Sequence, residues 1–280
     1  MHKMHKRHTV AGGGGLALNV MEWGNPDGPP LLLIHGWSQS HLCWEAQYTS
    51  ELAREFHLVT PDNRGHGLSA APTAAAAYTD SRLWADDVHA VIEQLGLVRP
   101  VLAGWSYGGL IVTDYLRVHG DDRIAGINFI GAAVRLNQAA FGHLIGPGFH
   151  EVFERAVSLD LGESVDAMRE FIDRCFAVKL SRRTYERTLC SNMTVRPEVR
   201  AALAQRDLAA DDVLAAIEVP VLVTHGHKDQ TVLPAMSELI LAQCRTATAS
   251  WYADSAHGPF LEEAGRFNHE LAAFARAAQV

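Results

Sequence analysis

The chain has 280 residues, a length typical of one large domain and too short for two ordinary enzymes side by side. With 48% hydrophobic and 20% charged residues, its composition is that of a globular protein and excludes a disordered or fibrous chain. The net charge is −8 and no dense stripe of Lys or Arg is present, which argues against nucleic acid as a partner.

The sequence shows neither the pattern of a signal peptide or membrane span nor the cysteine spacing of a zinc site or disulfide framework. The basic amino terminus is followed by glycines at 12–15, where a signal peptide needs about seven apolar residues. The longest aliphatic run, 31–34, is far shorter than the roughly eighteen residues that span a bilayer. The four cysteines lack the spacing of a zinc site or a disulfide framework. We therefore expect a soluble, cytoplasmic protein that does not associate with membranes.

The first half of the chain alternates short apolar runs with amphipathic stretches. This pattern is typical of a mostly parallel sheet that is covered by helices on both faces. Helices are expected at 81–95, where apolar residues recur at helical spacing, and at 107–118. The predicted strands are 16–24, 30–36, 57–61, 101–104 and 124–134.

The second half interrupts this alternation and then resumes it. No strand pattern is present from about 136 to 214, where helices are predicted around 150–158, 164–177, 181–192 and 197–208. Strands follow at 219–226 and near 248–253, and helices near 234–244 and 260–278. We predict an α/β core domain formed by 1–135 and 215–280, with 136–214 inserted as a helical cap.

The strongest local motif is the G-x-S-x-G pentapeptide at 104–108, between an apolar strand and a helical segment. A serine in a tight strand-to-helix turn is lifted clear of the sheet, and glycines two residues to either side avoid a collision. A serine hydroxyl is a poor nucleophile near neutral pH and needs a general base. We therefore predict Ser106 as a nucleophile with an activating partner elsewhere in the chain.

The second half of the chain contains a candidate general base for Ser106 and a candidate carboxylate to orient that base. Of the fifteen histidines, His257 lies between a predicted strand and the last helix, at the sheet edge where Ser106 should emerge. Asp229 follows the strand at 219–226 and gives the chain order Ser, Asp, His. It is predicted to orient the imidazole and stabilise its protonated form. Asp254, three residues before His257, is the alternative carboxylate.

Nucleophilic attack on a carbonyl also requires donors for the oxyanion. One is expected to be the backbone N–H of Tyr107, at the start of a helix whose dipole favours negative charge. The second is expected from the loop after the strand at 30–36, with the backbone N–H of Trp37 as the candidate.

Five motifs lie in order along the chain: HGW at 35–37, PDNRGHGLS at 61–69, GWSYGG at 104–109, HGHKD at 225–229 and AHGPFLEE at 256–263. Together they resemble the α/β-hydrolase superfamily, and within it most the bacterial esterase and cofactor-free haloperoxidase group. The resemblance covers nearly all of the chain outside the cap. It implies the α/β-hydrolase fold and the roles given above to Ser106, Asp229, His257, Trp37 and Tyr107.

The resemblance also implies a structural turn at 64–67.

The sequence departs from related enzymes of this fold at two positions that bear on the reaction and the substrate. Haloalkane dehalogenases and epoxide hydrolases of this fold have aspartate at the elbow, whereas Ser106 favours acyl chemistry. The lipase-type HGGG loop is absent, since Trp37 stands where a second glycine would be. This disfavours bulky tertiary esters and long-chain lipids.

The sequence thus predicts a serine hydrolase that cleaves a small to medium carboxylic ester or lactone through an acyl-enzyme, with no metal or organic cofactor. The small-molecule substrate would lie between the sheet edge and the cap. Perhydrolysis with hydrogen peroxide, hydrolysis of a carbon–carbon bond and ligand binding by a receptor are the alternatives. Residues that either line the site or form the cap core are Phe141, Met168, Phe171, Phe176 and Met193.

Overall fold

A computed structural model describes residues 5–280 of the chain. Apart from β7 and β8, its strands form one sheet in the order β1-β2-β4-β3-β5-β6-β9-β10. The strands are β1 (Lys6–Ala11), β2 (Ala17–Gly24), β3 (Pro30–Ile34), β4 (His57–Pro61), β5 (Val101–Trp105), β6 (Gly126–Ile130), β7 (Arg135–Leu136), β8 (Leu208–Ala209), β9 (Val221–Gly226) and β10 (Ala247–Tyr252).

Helices cover the sheet and fill the segment between β6 and β9. They are α1 (Glu45–Tyr48), α2 (Leu52–Glu55), α3 (Ala76–Thr79), α4 (Ser81–Gln94), α5 (Tyr107–His119), α6 (Pro147–Ala156), α7 (Leu161–Cys175), α8 (Arg182–Met193), α9 (Pro197–Ala204), α10 (Asp211–Ala216), α11 (Pro234–Gln243), α12 (Pro259–Glu262) and α13 (Ala264–Ala278). Within residues 5–280, no helix has the length and apolar character needed to cross a bilayer.

The sheet is mostly parallel, as predicted. β1 pairs antiparallel with β2 and β2 with β4, whereas every neighbouring pair from β4 to β10 is parallel. Strands β3, β4, β5, β6 and β9 are buried along their whole length. Alternate side chains of β3 enter opposite cores, Leu31 and Leu33 on one face and Leu32 and Ile34 on the other. Burial on both faces explains the continuous apolar runs in the sequence.

The structure differs from the predictions at several elements. β1 was not predicted, although it pairs with β2 along the edge of the sheet. The predicted strand at 124–134 is shorter, because Gly131 turns the chain with φ +46° after Ile130. The predicted final helix is broken at Glu263, which has φ −123° and ψ 47°.

The segment between β6 and β9 contains α6 to α9, close to the four predicted helical stretches. A Pro at the first turn starts α6 and α9, and the Asp160 and Ser181 side chains cap α7 and α8 by accepting N–H bonds from Glu163 and Thr184. β7 pairs antiparallel with β8, although no strand was predicted between 136 and 214. The unpredicted helix α10 spans the predicted boundary at 214 and packs on α5 and α11. We call residues 136–214 the insertion.

The turn at 64–67 is anchored by a buried ion pair. Arg64 donates from Nε and Nη2 to the Asp87 carboxylate at 2.7 and 2.8 Å, and its remaining bonds go to backbone carbonyls. Asp87 also accepts the N–H of Gly13 at 2.8 Å. The pair thereby joins the turn after β4, the amino-terminal loop and α4.

Replacing Asp87 by Ala should lower the free energy of unfolding by about 3 to 5 kcal/mol, because a buried guanidinium then lacks its counter-charge. Urea unfolding followed by circular dichroism measures the loss. The matched control is Glu186→Ala, which breaks an exposed i,i+4 pair with Arg182 and should cost no more than about 0.5 kcal/mol. Equal losses in the two variants would contradict a structural role for the Arg64 turn.

Candidate active site

Ser106 lies between the end of β5 and the start of α5, in the context that its motif predicts. Its backbone has φ 56° and ψ −119°, a strained conformation for a residue with a side chain. Three hydrogen bonds hold it there: the Ser106 N–H donates to Ile130 O at 3.0 Å, and its carbonyl accepts the N–H groups of Gly109 and Ala133, both at 2.9 Å.

The glycines of the motif are required by close backbone contacts. A Cβ at Gly104 would lie 2.8 Å from the Gly108 carbonyl oxygen, and one at Gly108 would lie 2.5 Å from the Ile34 oxygen. Both distances are shorter than side chains tolerate, so α5 can approach the ends of β3 and β5 only with glycine at these positions.

Asp229 and His257 form a buried pair in the loops after β9 and β10. Asp229 Oδ2 lies 2.7 Å from His257 Nδ1, and Oδ1 accepts the N–H groups of Thr231 and Val232 at 2.8 and 3.1 Å. Burial raises the pKa of Asp229, but the charge of His257 and the hydrogen bonds from His225 and His257 outweigh it and hold that pKa well below its usual value. The carboxylate is therefore ionised at neutral pH.

The loop that carries His257 is fixed on two sides. The His257 N–H donates to Cys175 O at the end of α7 at 2.9 Å, and its carbonyl accepts Trp105 Nε1–H at 2.8 Å. Because Nδ1 binds Asp229, Nε2 is the ring nitrogen left for proton exchange. Within residues 5–280 no hydrogen bond joins Ser106 Oγ to His257, but both side chains line one small cavity.

The alternative carboxylate lies elsewhere. The Asp254 side chain is 88% exposed and its Oδ1 is 2.9 Å from Lys228 Nζ. The structure therefore brings Asp229 to His257 and leaves Asp254 at the surface.

The two predicted oxyanion donors lie beside Ser106. Trp37 and Tyr107 line the same cavity as Ser106, and within the described residues neither backbone N–H donates to another group. The loop of Trp37 approaches Ser106 closely, since a Cβ at Gly36 would lie 2.9 Å from Ser106 Cβ. The arrangement leaves two N–H groups available for a negatively charged oxygen.

Two buried histidines that sequence reasoning did not assign to the site hold the loop of Trp37. His35 Nε2 accepts the Asn63 N–H at 3.0 Å, and His66 Nε2 accepts the Ser38 N–H at 3.1 Å. Burial lowers the pKa of His35 to about 4 and that of His66 to about 3, so both rings are neutral and able to accept. His66 thus belongs to the buried turn at 64–67 and also fixes Ser38.

Arg200 of α9 is a second contributor that no sequence motif indicated. Its guanidinium is fully buried, and within residues 5–280 its hydrogen-bond partners include no carboxylate. Burial lowers its pKa to about 10, which leaves it charged at neutral pH. Nε donates to Ser38 Oγ at 2.9 Å, and the Arg200 carbonyl accepts Trp37 Nε1–H at 3.3 Å. Its other bonds go to Ala156 O, Ser164 Oγ, Asn192 O and Met193 Sδ.

Two cavities meet at Ser106. We call the first, of about 40 Å³, the apolar cavity; it is lined by Trp37, Ser106, Tyr107, Leu110, Ala133, Leu136, Ile145, Phe149, Phe171, Ala204, Thr231 and Val232. We call the second, of about 10 Å³, the histidine cavity; it is lined by Gly36, Trp37, Gln39, Trp105, Ser106, Phe171, Ile172, Cys175, Phe176, Thr188 and His257.

Of the aromatic and Met residues predicted either to line the site or to form the cap core, only some contact these cavities. Phe171 lines both and Phe176 lines the histidine cavity, whereas Met168 is wholly buried within the hydrophobic core. Met193 packs on the same core, and Phe141 is partly exposed. Phe149 and Ile145 were missed, because their positions facing Ser106 depend on how the insertion folds over the sheet.

Comparisons with known proteins show which family and structures the chain is similar to. The family profile described as alpha/beta hydrolase fold matches residues 29–264. A putative aryl esterase from Burkholderia cenocepacia is 34% identical, with a TM-score of 0.91 over 98% of this chain and 99% of that one. The esterase RhEst1 from Rhodococcus sp. ECU1013 is 33% identical, with a TM-score of 0.90 over 97% and 99%. A bifunctional esterase/perhydrolase from Acinetobacter calcoaceticus is 28% identical over 94% of this chain and 97% of its own.

Gly131 offers a test of the site geometry. A Cβ there would lie 3.3 Å from His257 Nδ1 and 3.4 Å from Asp229 Oδ2, so Gly131→Ala should displace the pair. We expect Ser106 to react with a fluorophosphonate at least about tenfold more slowly, since small misplacements of catalytic groups are costly. Labelling rates measured by intact-protein mass spectrometry check this.

Gly96→Ala is the matched control for Gly131→Ala. Gly96 also has positive φ, +62°, but its Cβ would meet nothing within 4 Å. In both variants, placing a side chain at positive φ should lower the free energy of unfolding by a similar amount, about 1 kcal/mol. Equal labelling rates in the two would contradict the contact between Gly131 and the Asp229–His257 pair.

Proposed function

Because the chain belongs to the α/β-hydrolase family, we propose that this hydrolase is a serine esterase that cleaves a small to medium carboxylic ester or lactone. The observation that carries the proposal is the buried Asp229–His257 pair, 2.7 Å apart, whose histidine lines one cavity with the strained Ser106. Strained backbone and an ionised carboxylate that orients an imidazole are features of nucleophilic acyl transfer.

The proposed reaction has two halves. Ser106 Oγ attacks the carbonyl carbon while His257 Nε2 takes its proton, and the backbone N–H groups of Trp37 and Tyr107 bind the oxyanion. As the tetrahedral intermediate collapses, the leaving oxygen takes the proton from His257 and departs as an alcohol. Water then attacks the acyl-enzyme, again giving a proton to His257, which returns it to Ser106 as the acid leaves.

The insertion supports the proposal as a cap over the reacting groups. Phe149 and Phe171 come from it and meet Trp37 edge-on, with ring centroids 5.1 and 5.4 Å away. The apolar cavity beneath them measures about 40 Å³, which favours compact acyl groups over long chains. Desolvation under such a cap strengthens the interaction of an oxyanion with its donors.

Perhydrolysis is the second candidate function. The relative from Acinetobacter calcoaceticus is named a bifunctional esterase/perhydrolase, and the same residues would serve if hydrogen peroxide replaced water in the second half of the reaction. The product would then be a peracid, and the peracid could oxidise halide. A binding protein without catalysis is disfavoured by the buried Asp229–His257 pair, which ligand binding does not require.

Ser106→Ala should abolish turnover of p-nitrophenyl esters, tested from acetate to decanoate, because it removes the attacking oxygen. Wild type should prefer the short chains and should be labelled by a fluorophosphonate. The thermal transition of the variant should stay nearly unchanged, which serves as the folding control. Serine-independent turnover would overturn the assignment. Ser106-dependent bromination on addition of peroxide and bromide would support perhydrolysis.

Asp229→Asn should lower kcat by about ten-thousand-fold, because the amide cannot hold the imidazole in the required tautomer or stabilise its protonated form. Asp254→Asn is the matched control; since its carboxylate is at the surface, we expect kcat to change less than about twofold. Steady-state kinetics on p-nitrophenyl acetate measure both. A larger loss in Asp254→Asn than in Asp229→Asn would show that the wrong carboxylate was chosen.

A further inference from the structure

A groove lined by both polar and apolar residues lies next to the histidine cavity. It has a volume of about 400 Å³, within the usual range of small-molecule sites, whereas the apolar cavity has about 40 Å³. One wall comes from the core segment after β3, and the other from the α7–α8 connection and α8. We call it the outer groove; it is lined by Gln39, Leu42, Cys43, Glu45, Ala46, Thr49, Val178, Lys179, Leu180, Ser181, Thr184, Arg187, Thr188, Ser191, Leu261 and Glu262.

Two side chains separate the outer groove from the reacting groups. Gln39 and Thr188 line both the outer groove and the histidine cavity. Gln39 is held by a 2.9 Å bond from its Nε2 to Asn192 Oδ1, and Thr188 is half-buried on α8. Gln39 and Thr188 therefore lie at the boundary between the outer groove and the cavity that contains Ser106 and His257.

The proposed reaction determines where the acyl and alcohol portions of an ester lie relative to the two cavities at Ser106. The leaving oxygen must take a proton from His257 and so lies on the side of the histidine cavity, while the acyl group stays on Ser106. His257 does not line the apolar cavity. The acyl group thus fits the apolar cavity, and the alcohol portion points towards Gln39 and Thr188.

We propose that the outer groove binds the alcohol portion of the substrate, and that the passage between Gln39 and Thr188 leads to it. This rests on the proposed function. The substrate class is then an ester of a short apolar acid with an extended alcohol that carries polar groups.

The charged and hydroxyl-bearing residues of the outer groove fit an alcohol that carries polar groups. Glu45 is paired with Arg183 and Arg187, and Glu262 accepts the N–H groups of Ala177 and Val178. Both carboxylates are therefore engaged by partners within the protein, whereas Lys179, which also lines the groove, has no acidic partner among the described residues. Thr184, Thr188, Ser181 and Ser191 line the groove as well; the Ser181 and Thr184 hydroxyls bond to each other, and Ser191 Oγ bonds to Ser40 Oγ. The Lys179 ammonium and the Thr188 hydroxyl are donors for the ether and hydroxyl oxygens of an alcohol.

Two isomeric esters that differ only in the direction of the ester bond test the proposal. In 2-(2-methoxyethoxy)ethyl acetate the polar chain is in the alcohol, and in methyl 3-(2-methoxyethoxy)propanoate it is in the acid. We expect kcat/KM of the wild-type enzyme to be at least about tenfold higher for the acetate, after division by the rate of hydroxide-catalysed hydrolysis. A preference for the propanoate, or none, overturns the proposal.

The Thr188→Trp variant gives a second test, because the larger side chain should narrow the passage between Gln39 and Thr188. It should lower kcat/KM for the long acetate at least about tenfold more than for methyl acetate. Cys190→Trp is the matched control, because Cys190 is exposed on the same helix and lines neither the histidine cavity nor the outer groove. An equal effect of Thr188→Trp on both acetates overturns the proposal.

Turnover of the two isomeric esters and of methyl acetate also distinguishes failure of this inference from failure of the proposed function. If neither isomer nor methyl acetate is turned over in a Ser106-dependent way, the esterase function fails and the groove assignment fails with it. If methyl acetate is turned over but the isomer preference is inverted, the esterase function stands and the groove assignment alone is overturned.

Discussion

The backbone of Ser106 is the constraint on which the site depends. A positive φ at a residue with a side chain costs about 1 to 3 kcal/mol and persists only when its surroundings determine it. Here the end of β5, the start of α5 and the carbonyl of Ile130 determine it. Among residues 5–280 the same turn leaves the N–H of Tyr107 without an acceptor, and it demands glycine at 104 and 108. The position of Ser106 and the availability of the Tyr107 N–H thus have one structural cause.

The insertion binds the loops that carry His257 and Trp37, in addition to contributing residues to the cavities at Ser106. The last residue of α7, Cys175, accepts the N–H of His257, and Arg200 of α9 binds Ser38 and Trp37. A buried guanidinium that is surrounded only by neutral acceptors is costly unless every bond is made. Moving the insertion away from the loop of Trp37 would break the bonds from Arg200 Nε to Ser38 and from Trp37 Nε1 to the Arg200 carbonyl, which favours one arrangement of the core and the insertion.

Sequence reasoning predicted what depends on local pattern and missed what depends on distant contacts. The central strands were found because burial on both faces demands continuous apolar runs. β1 was missed, because its Lys, Arg and His side chains hide an edge strand that is held by backbone pairing. The end of β6 was misplaced, because the apolar residues after Gly131 stay buried beneath the site. Arg200 could not be predicted, since its partner Ser38 is 162 positions away.

Hydrogen bonding separates His257 from the other buried histidines around the site, a distinction the sequence does not contain. His35 and His66 each use both ring nitrogens, one near a carbonyl and one accepting a backbone N–H. His225 is likewise engaged, by Ser237 Oγ and Val232 O. Protonation of His35 or His66 at Nε2 would break the bond that this nitrogen accepts. His257 alone in this group keeps Nε2 without a protein partner in the described residues, next to Ser106. The bonds of His35, His66 and His225 thus hold the loops, whereas His257 keeps one ring nitrogen available for proton exchange.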